Sequence, residues 1–456
     1  MKRLLLLIFV FSFFAASTVY AQGTPSNEPT NDGGGLPINS LLYAIGIWLG
    51  SLAVLFILGY ILSGLTLAAV NRSSGNIQIG GGERLLRSFY RLVIFITSLG
   101  YYVSLPFLAL IVIMIVGGAF YFMLEAGRIP VRIAIFLLLF ALYTLWALLR
   151  SLFIRIPDIE PGRRVSRKEA PKLWEVAEEV AAKVGTRPID AIYMVPDTAI
   201  AVTERGSYLK QLTGKTERAL IFGLGAIEDM KTIHLKSILA HEYGHFSNRD
   251  TAGGGLALVV RNAIHLMARE LAIRGQATPY NPAWLFINAY YRIYLRITLG
   301  ASRLQEILAD RYAALAYGSQ NLADALQFIV KRSLAFDLQT NTEINKALKE
   351  NRAFSSFYAL PALEGDAQQA VERKYSDLAK RPTSHYDSHP SLKDRFAYLG
   401  RISKALDEVE DDTTVDSILP NKLTFAEEMN NHIKKNVDAQ LRQLRYLRQL
   451  QQQRGR

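Results

Sequence analysis

The residues most suited to chemistry are two histidines four positions apart, His241 and His245, with Glu242 directly after the first. On a helix, residues at this spacing share one face, with Cβ atoms about 5–6 Å apart. Two imidazoles placed in this way can bind one zinc ion at about 2.0–2.1 Å. Glu242 is then outside the ligand set but beside the metal-bound water, where a general base is needed. The pattern predicts metal-assisted hydrolysis, and a helix with two incidental histidines is the alternative.

A catalytic zinc ion needs a third protein ligand and one position open for water. The chain has no cysteine, so thiolate ligands and thiol nucleophiles are excluded. The best candidate ligand is Glu306, and Asp310 follows one turn later on the same predicted helix face, where it can hydrogen-bond a ligand imidazole. A solvated helix face is the alternative for this pair. His265 is a rival ligand, but its apolar neighbours are typical of a core histidine.

The elements that carry these residues follow a long apolar region. Half of the 456 residues are hydrophobic and 20% are charged, a balance that indicates membrane segments. Three uncharged runs each approach or exceed the roughly 20 residues needed to cross a bilayer. They begin at Leu41, Leu92 and Ile133, and Pro106 interrupts the second. We therefore predict three transmembrane helices within residues 41–156.

The segment before these runs has two parts. Residues 1–21 have the pattern of a signal peptide, with Lys2 and Arg3 before an apolar stretch and small residues near Ala21. An uncleaved signal anchor is the alternative. Residues 22–40 are rich in Pro, Gly, Ser and Asn, which predicts a flexible linker.

Lysine and arginine are distributed unevenly among the connections between the apolar runs. The segments 71–91 and 150–172 together carry eleven, whereas 22–39 and 125–132 together carry two. The positive-inside rule predicts a multi-pass protein of the cell (inner) membrane, with everything beyond the third span in the cytoplasm. Charges flanking the spans also account for the net charge of +12, and no nucleic-acid-binding motif is present. We expect a lipid bilayer and no nucleic acid as partner.

Residues 157–405 have the composition of a soluble, mostly helical domain, and residues 406–456 form an acidic and then basic stretch that predicts a polar helical tail. Within the domain, hydrophobic periodicity predicts two short strands and several helices, and an amphipathic or interfacial helix over Ala283–Ser302. The strands are Ile189–Val195 and Ala219–Leu224; the helices around the chemistry are Thr232–Asn248, Gly254–Arg274 and Ala301–Tyr317.

Three motifs in order resemble the HtpX and CAAX prenyl endopeptidase family of gluzincin metallopeptidases, metallopeptidase family 48. They are His241–His245, Glu306–Asp310 and the Ser388–Arg395 segment, which is similar to the family's HPxxxxR motif. The resemblance covers about residues 161–401 and implies a mainly α, zincin-like α+β domain with a small sheet and one zinc ion per chain. It also implies that Glu306 is the third ligand, that Asp310 supports a ligand, and that His389 and Arg395 stabilise the oxyanion or the ligands.

These observations predict a membrane-anchored zinc endopeptidase that cleaves polypeptides such as membrane or misfolded proteins. Glu242 takes a proton from water and passes it to the leaving amine, while zinc and His389 hold the oxyanion. An extended peptide pairing with the edge of Ala219–Leu224 is one expectation, and an ordinary core strand is the alternative. The other functions considered are a metal-binding membrane scaffold without proteolysis and a CAAX-type prenyl-protein protease. The sequence does not indicate an oligomeric state.

Overall fold

The computed structural model describes residues 38–72, 81–153, 160–206, 216–247, 254–384, 387, 389–402 and 409–454. The predicted signal peptide and nearly all of the predicted linker lie outside these ranges. Within them, three helices are long and apolar enough to cross a membrane, as predicted. They are α1 (Ile38–Arg72), α2 (Gly81–Glu125) and α3 (Val131–Ser151).

Helix α2 is 45 residues long and continues through Pro106 without a break. The second apolar run is therefore one helix and not a re-entrant hairpin. Its candidate span, Arg84–Glu125, has 42 residues, about twice the number needed to cross a bilayer. A helix of this length has to tilt or extend beyond the hydrocarbon layer.

The remaining elements alternate between short strands and helices before becoming entirely helical. In chain order they are β1 (Arg163–Val165), α4 (Pro171–Val184), β2 (Ala191–Val195), β3 (Ile200–Arg205), β4 (Glu217–Gly223), α5 (Thr232–Ser247), α6 (Gly254–Ile273), α7 (Pro282–Tyr317), α8 (Ser319–Glu350), α9 (Gly365–Lys380), α10 (Leu392–Ile402) and α11 (Lys422–Arg454). The predicted fold class, mainly helical with a small sheet, is confirmed.

The chain divides into two compact units. The first contains most of α1, all of α2, α3 and α6, and α7 as far as Ala301. Its core is rich in aromatic side chains, because residues such as Trp48, Tyr101 and Tyr290 are buried together. The first part of α7 has a buried face within this core, which includes Phe286, while Arg292 is exposed. A helix with one buried apolar face and charges elsewhere is amphipathic.

The second unit contains the sheet and the other helices, including α7 from Ser302 onward. Its four described strands have the order β1-β2-β4-β3, with β2 and β4 parallel and the other pairs antiparallel. Strand β4 is thus paired on both sides, and β3 forms an edge. The expectation that a peptide pairs with Ala219–Leu224 is wrong, because β2 and β3 already occupy both edges of that strand.

Helices α4 and α5 provide much of the hydrophobic core of the second unit. Helix α4 begins with Pro171, whose missing N–H needs no partner in the first turn, and ends at Gly185, whose φ of 74° suits glycine. On α5, Leu239, Ala240 and Tyr243 are buried in the core. The face of α5 that carries these residues is thereby fixed, and with it the direction of the neighbouring histidines.

Candidate metal centre

Helices α5 and α7 bring three candidate ligand residues together. His241 and His245 lie on α5 and Glu306 lies on α7, with one ligand atom from each within 4.8 Å of the others. The Nε2 atoms of His241 and His245 are 3.4 Å and 3.5 Å from the two carboxylate oxygens of Glu306. Two ligand atoms at about 2.1 Å from one ion, at the tetrahedral angle, lie about 3.4 Å apart. The three side chains are therefore close enough together to bind one metal ion.

The electrostatics of these ligands also fit a cation. Oε2 of Glu306 is buried and has no hydrogen-bond partner, which is costly for a carboxylate oxygen unless an ion satisfies it. Burial opposes ionisation of Glu306, but the neighbouring imidazoles of His241 and His389 hold the pKa of its carboxyl well below the usual value. Burial lowers the pKa of His245 to about 4, so this imidazole is neutral and able to bind a metal at pH 7.

The approach of α5 to α7 depends on two small residues. A Cβ atom built on Gly244 would lie only 2.8 Å from the Cα atom of Ala309. The two helix backbones are therefore in direct contact at the level of the ligands. Glycine inside the HExxH motif permits this contact, which brings Glu306 within reach of the histidines.

A buried ion pair stands behind His241. Its Nδ1 atom lies 2.8 Å from Oδ1 of Asp310, which is fully buried. Arg395 donates to the same carboxylate, through Nε to Oδ2 at 2.9 Å and through Nη2 to Oδ1. Burial opposes ionisation of Asp310, but Arg395 keeps the pKa of this carboxyl below its usual range. An anionic Asp310 holds the proton on Nδ1 of His241, which leaves Nε2 free to bind a metal.

The proposed base, Glu242, is adjacent to the ligands but is not one of them. Its Oε2 atom accepts a hydrogen bond of 3.1 Å from the main-chain N–H of Val202 on the edge strand β3. Burial raises the pKa of the Glu242 carboxyl above its usual value. A carboxylate with a raised pKa is better suited to accept a proton near neutral pH. The sequence could not indicate the contact with Val202, because a main-chain donor has no residue signature.

The two predicted residues of the third motif lie on different sides of the ligands. His389 has a side chain that is 62% exposed, with Nδ1 2.8 Å from Oε1 of Glu306. This hydrogen bond raises the pKa of His389, which favours a ring that can donate a proton or hydrogen bond. Arg395 is buried against Asp310, away from solvent. His265 is outside the candidate metal group, and its Nε2 is 3.5 Å from the hydroxyl of Tyr291.

Comparison with known proteins agrees with this geometry. Residues 212–403 match the family model described as Peptidase family M48. The chain carries a peptidase M48 domain. The M48 match contains every residue of the three motifs, and it also covers β4, α5 and α7. The resemblance drawn from the motifs is thereby confirmed.

Several curated relatives of this chain have the printed name Protease HtpX homolog, some with a number added. Homolog 1 from Streptomyces coelicolor is 28% identical over 262 residues, which cover 54% of this chain and 76% of the relative. The homolog from Acaryochloris marina is 26% identical over 256 residues, which cover 53% of this chain and 75% of the relative. The homolog from Moorella thermoacetica is 25% identical over 260 residues, which cover 54% of this chain and 77% of the relative. No solved structure gives a significant match.

The family and the three apolar helices together indicate an HtpX-like membrane protein with a metallopeptidase domain. The M48 match begins after β3, so the edge strand beside Glu242 lies outside it. The apolar helices α1 to α3 are outside it as well. The residues of the three motifs therefore lie within the family match, while the edge strand and the apolar helices lie outside it.

Proposed function

We propose that this chain is a membrane-anchored zinc endopeptidase whose Glu242 acts as the general base. The observation that carries the proposal is the grouping of His241, His245 and Glu306 within ligand distance of one another, with the half-buried Glu242, whose pKa burial raises, directly beside them. Two nitrogen ligands and one carboxylate oxygen are a common protein ligand set for catalytic zinc. Glu306 is distant in sequence from the two histidines but adjacent to them in space.

In this mechanism, zinc supplies Lewis acidity, which lowers the pKa of water and polarises the scissile carbonyl. Glu242 accepts the proton of the attacking water and then delivers it to the leaving amine. The Val202 N–H keeps the Glu242 carboxylate oriented for this transfer. His389, exposed and hydrogen-bonded to Glu306, donates to the oxyanion as negative charge develops there.

The substrate is proposed to be an extended polypeptide that lies along β3. This strand forms an edge of the sheet within the described residues, and an edge strand can pair with an added strand. Because Val202 on β3 contacts Glu242, a peptide bound along this edge is held next to the base. Such binding requires an unfolded or extended segment. A membrane-anchored enzyme of this kind is suited to membrane or misfolded proteins.

The direct test is proteolysis of casein by the full-length protein in detergent. We expect cleavage to stop when a chelator removes the metal and to return when one equivalent of zinc is added. Metal content and cleavage rate are measured on the same samples. If the protein binds zinc stoichiometrically but leaves casein intact, the alternative of a metal-binding membrane scaffold is favoured.

We also propose that the peptidase domain faces the cytoplasm of the inner membrane. The chain contains no cysteine, so a single introduced cysteine can be labelled without background. In intact spheroplasts, an impermeant maleimide is expected to label Ala126→Cys, between α2 and α3, but not Lys172→Cys on α4. Both positions are exposed. Labelling of Lys172→Cys in unbroken spheroplasts would contradict the orientation.

A further inference from the structure

Arg303 is the largest fully buried side chain in the described part of the protein. It lies on α7, one helical turn before Glu306. Its Nη1 atom donates to the main-chain carbonyl oxygen of Asp387 at 3.0 Å and of Ser384 at 3.5 Å. Both carbonyls belong to the short segment that leads to His389. The helix that supplies a metal ligand therefore also binds the segment that carries His389.

The residues on both sides of His389 are also bound to each other and to α10. Thr383 donates its N–H to Oδ2 of Asp394 at 3.2 Å, and the Ser391 N–H donates to the Thr383 hydroxyl at 2.7 Å. These bonds join Thr383, which precedes His389, to Ser391 and Asp394, which follow it. They fix Ser391, two residues after His389, while Arg303 binds the carbonyl of Asp387, two residues before it. Arg303 is thus the contact from α7 that holds the backbone on the side that precedes the imidazole.

Burying a guanidinium is costly, and its hydrogen bonds have to offset the loss of water. A buried arginine that binds main-chain carbonyls fixes the backbone at those points, because its planar fork allows few orientations. The His389 side chain is itself 62% exposed, so the protein interior holds it only on one side. Its position over Glu306 must come largely from the backbone on either side of it.

We propose that Arg303 is a positioning residue that acts through His389 by fixing the segment before it. This inference rests on the proposed function, because it assumes that His389 takes part in peptide hydrolysis. It assigns to Arg303 no contact with substrate and no role in holding the metal. The effect of removing Arg303 should therefore depend on whether His389 is present.

A double-mutant cycle on the full-length protein tests this dependence. His389→Ala is expected to lower kcat/KM for casein by about 10²–10³-fold, as for loss of one oxyanion donor. Arg303→Gln is expected to lower it by about 10–100-fold, the usual cost of losing a residue that orients the reacting groups. In the double variant, Arg303→Gln should add less than about threefold to the loss, with zinc content unchanged throughout.

Arg311→Gln is the matched control. Arg311 is also a buried arginine on α7, but its Nε donates to the hydroxyl of Tyr398 at 2.9 Å. Any loss that it causes should be the same factor with and without His389. If Arg303→Gln fails to fold, Arg303→Lys, which keeps a donor and the charge, replaces it in the same cycle.

The possible results separate the two claims. Multiplicative losses for Arg303 and His389, with an active wild type, would overturn the positioning role and leave the proposed function intact. Loss of zinc from Arg303→Gln would overturn it too, because the residue would then support the ligands. A wild type without chelator-sensitive cleavage would overturn both. The inference is supported if the losses are non-multiplicative in the cycle of Arg303 with His389, multiplicative in the cycle of Arg311 with His389, and zinc is retained throughout.

Discussion

Replacing Glu242 with glutamine is expected to lower kcat/KM for casein by about 10²–10⁴-fold while the protein keeps its metal. Glutamine has nearly the same shape, and its amide oxygen can still accept the hydrogen bond from the Val202 N–H. It cannot accept a proton from water, so only the acid–base step is removed. Cleavage rate and zinc content, measured on the same preparation, separate this loss from a loss of metal.

Glu372→Gln is the control for this substitution. Glu372 lies in the same unit, its side chain is 53% exposed, and it pairs with Lys331 at 2.8 Å. An exposed ion pair of this kind contributes little to stability, so near wild-type cleavage is expected. If Glu242→Gln cleaves casein as fast as Glu372→Gln, Glu242 is not the base. If it loses zinc, its role is in assembling the centre.

Replacing Gly244 with alanine is expected to disrupt the metal centre without touching a ligand. The new Cβ would lie 2.8 Å from the Cα and 3.2 Å from the carbonyl oxygen of Ala309, so α5 and α7 must move apart. A shift of about 1 Å at reacting groups can cost about 10²-fold in rate, and overpacking costs about 1–3 kcal/mol of stability. We expect substoichiometric zinc, a cleavage rate at least about 10²-fold lower, and a reduced Tm.

Gly400→Ala distinguishes this clash from a general effect of removing glycine. Gly400 also lies inside a helix, α10, but a Cβ added there meets no atom within 4 Å. Alanine in an open helical position is expected to stabilise by about 0.5–1 kcal/mol relative to glycine. Zinc content should be unchanged. Full zinc occupancy in Gly244→Ala would show that the helices accommodate a methyl group between them.

The sequence predicted the parts of this protein that depend on local periodicity. The three apolar helices follow from run length, and the HExxH helix follows from the four-residue spacing of His241 and His245. Glu306 was identified by its spacing from Asp310 and by a family resemblance, and the structure places it at ligand distance from both histidines. A helical face is a local property, so residues on one face can be found without knowing the fold.

Features that depend on distant pairing were not predictable. Strand β3 ends in Thr-Glu-Arg, a polar sequence without a strand pattern, and it forms only because β4 pairs with it. The central position of β4 likewise depends on partners far along the chain. Phe425 and Met429 are buried in the core of the second unit, although their neighbours are mostly polar and predict an exposed tail.

The burial of two arginine side chains was also not predictable from sequence patterns. Arg303 and Arg395 look like surface charges in the sequence, because arginine is almost never fully buried unless it is paired. Their burial depends on acceptors from other elements, the Asp387 carbonyl for Arg303 and the Asp310 carboxylate for Arg395. Only the assembled fold brings these acceptors to the arginines. Family resemblance indicated Arg395, and no pattern indicated Arg303.

Asp310 contacts both His241 and Arg395, and these contacts do not depend on the metal ion that we propose to bind here. The imidazole keeps its direction without an ion, because Asp310 and Arg395 are part of the chain. Recharging protein that has been stripped of its ion then requires delivery of an ion and no rebuilding of the fold.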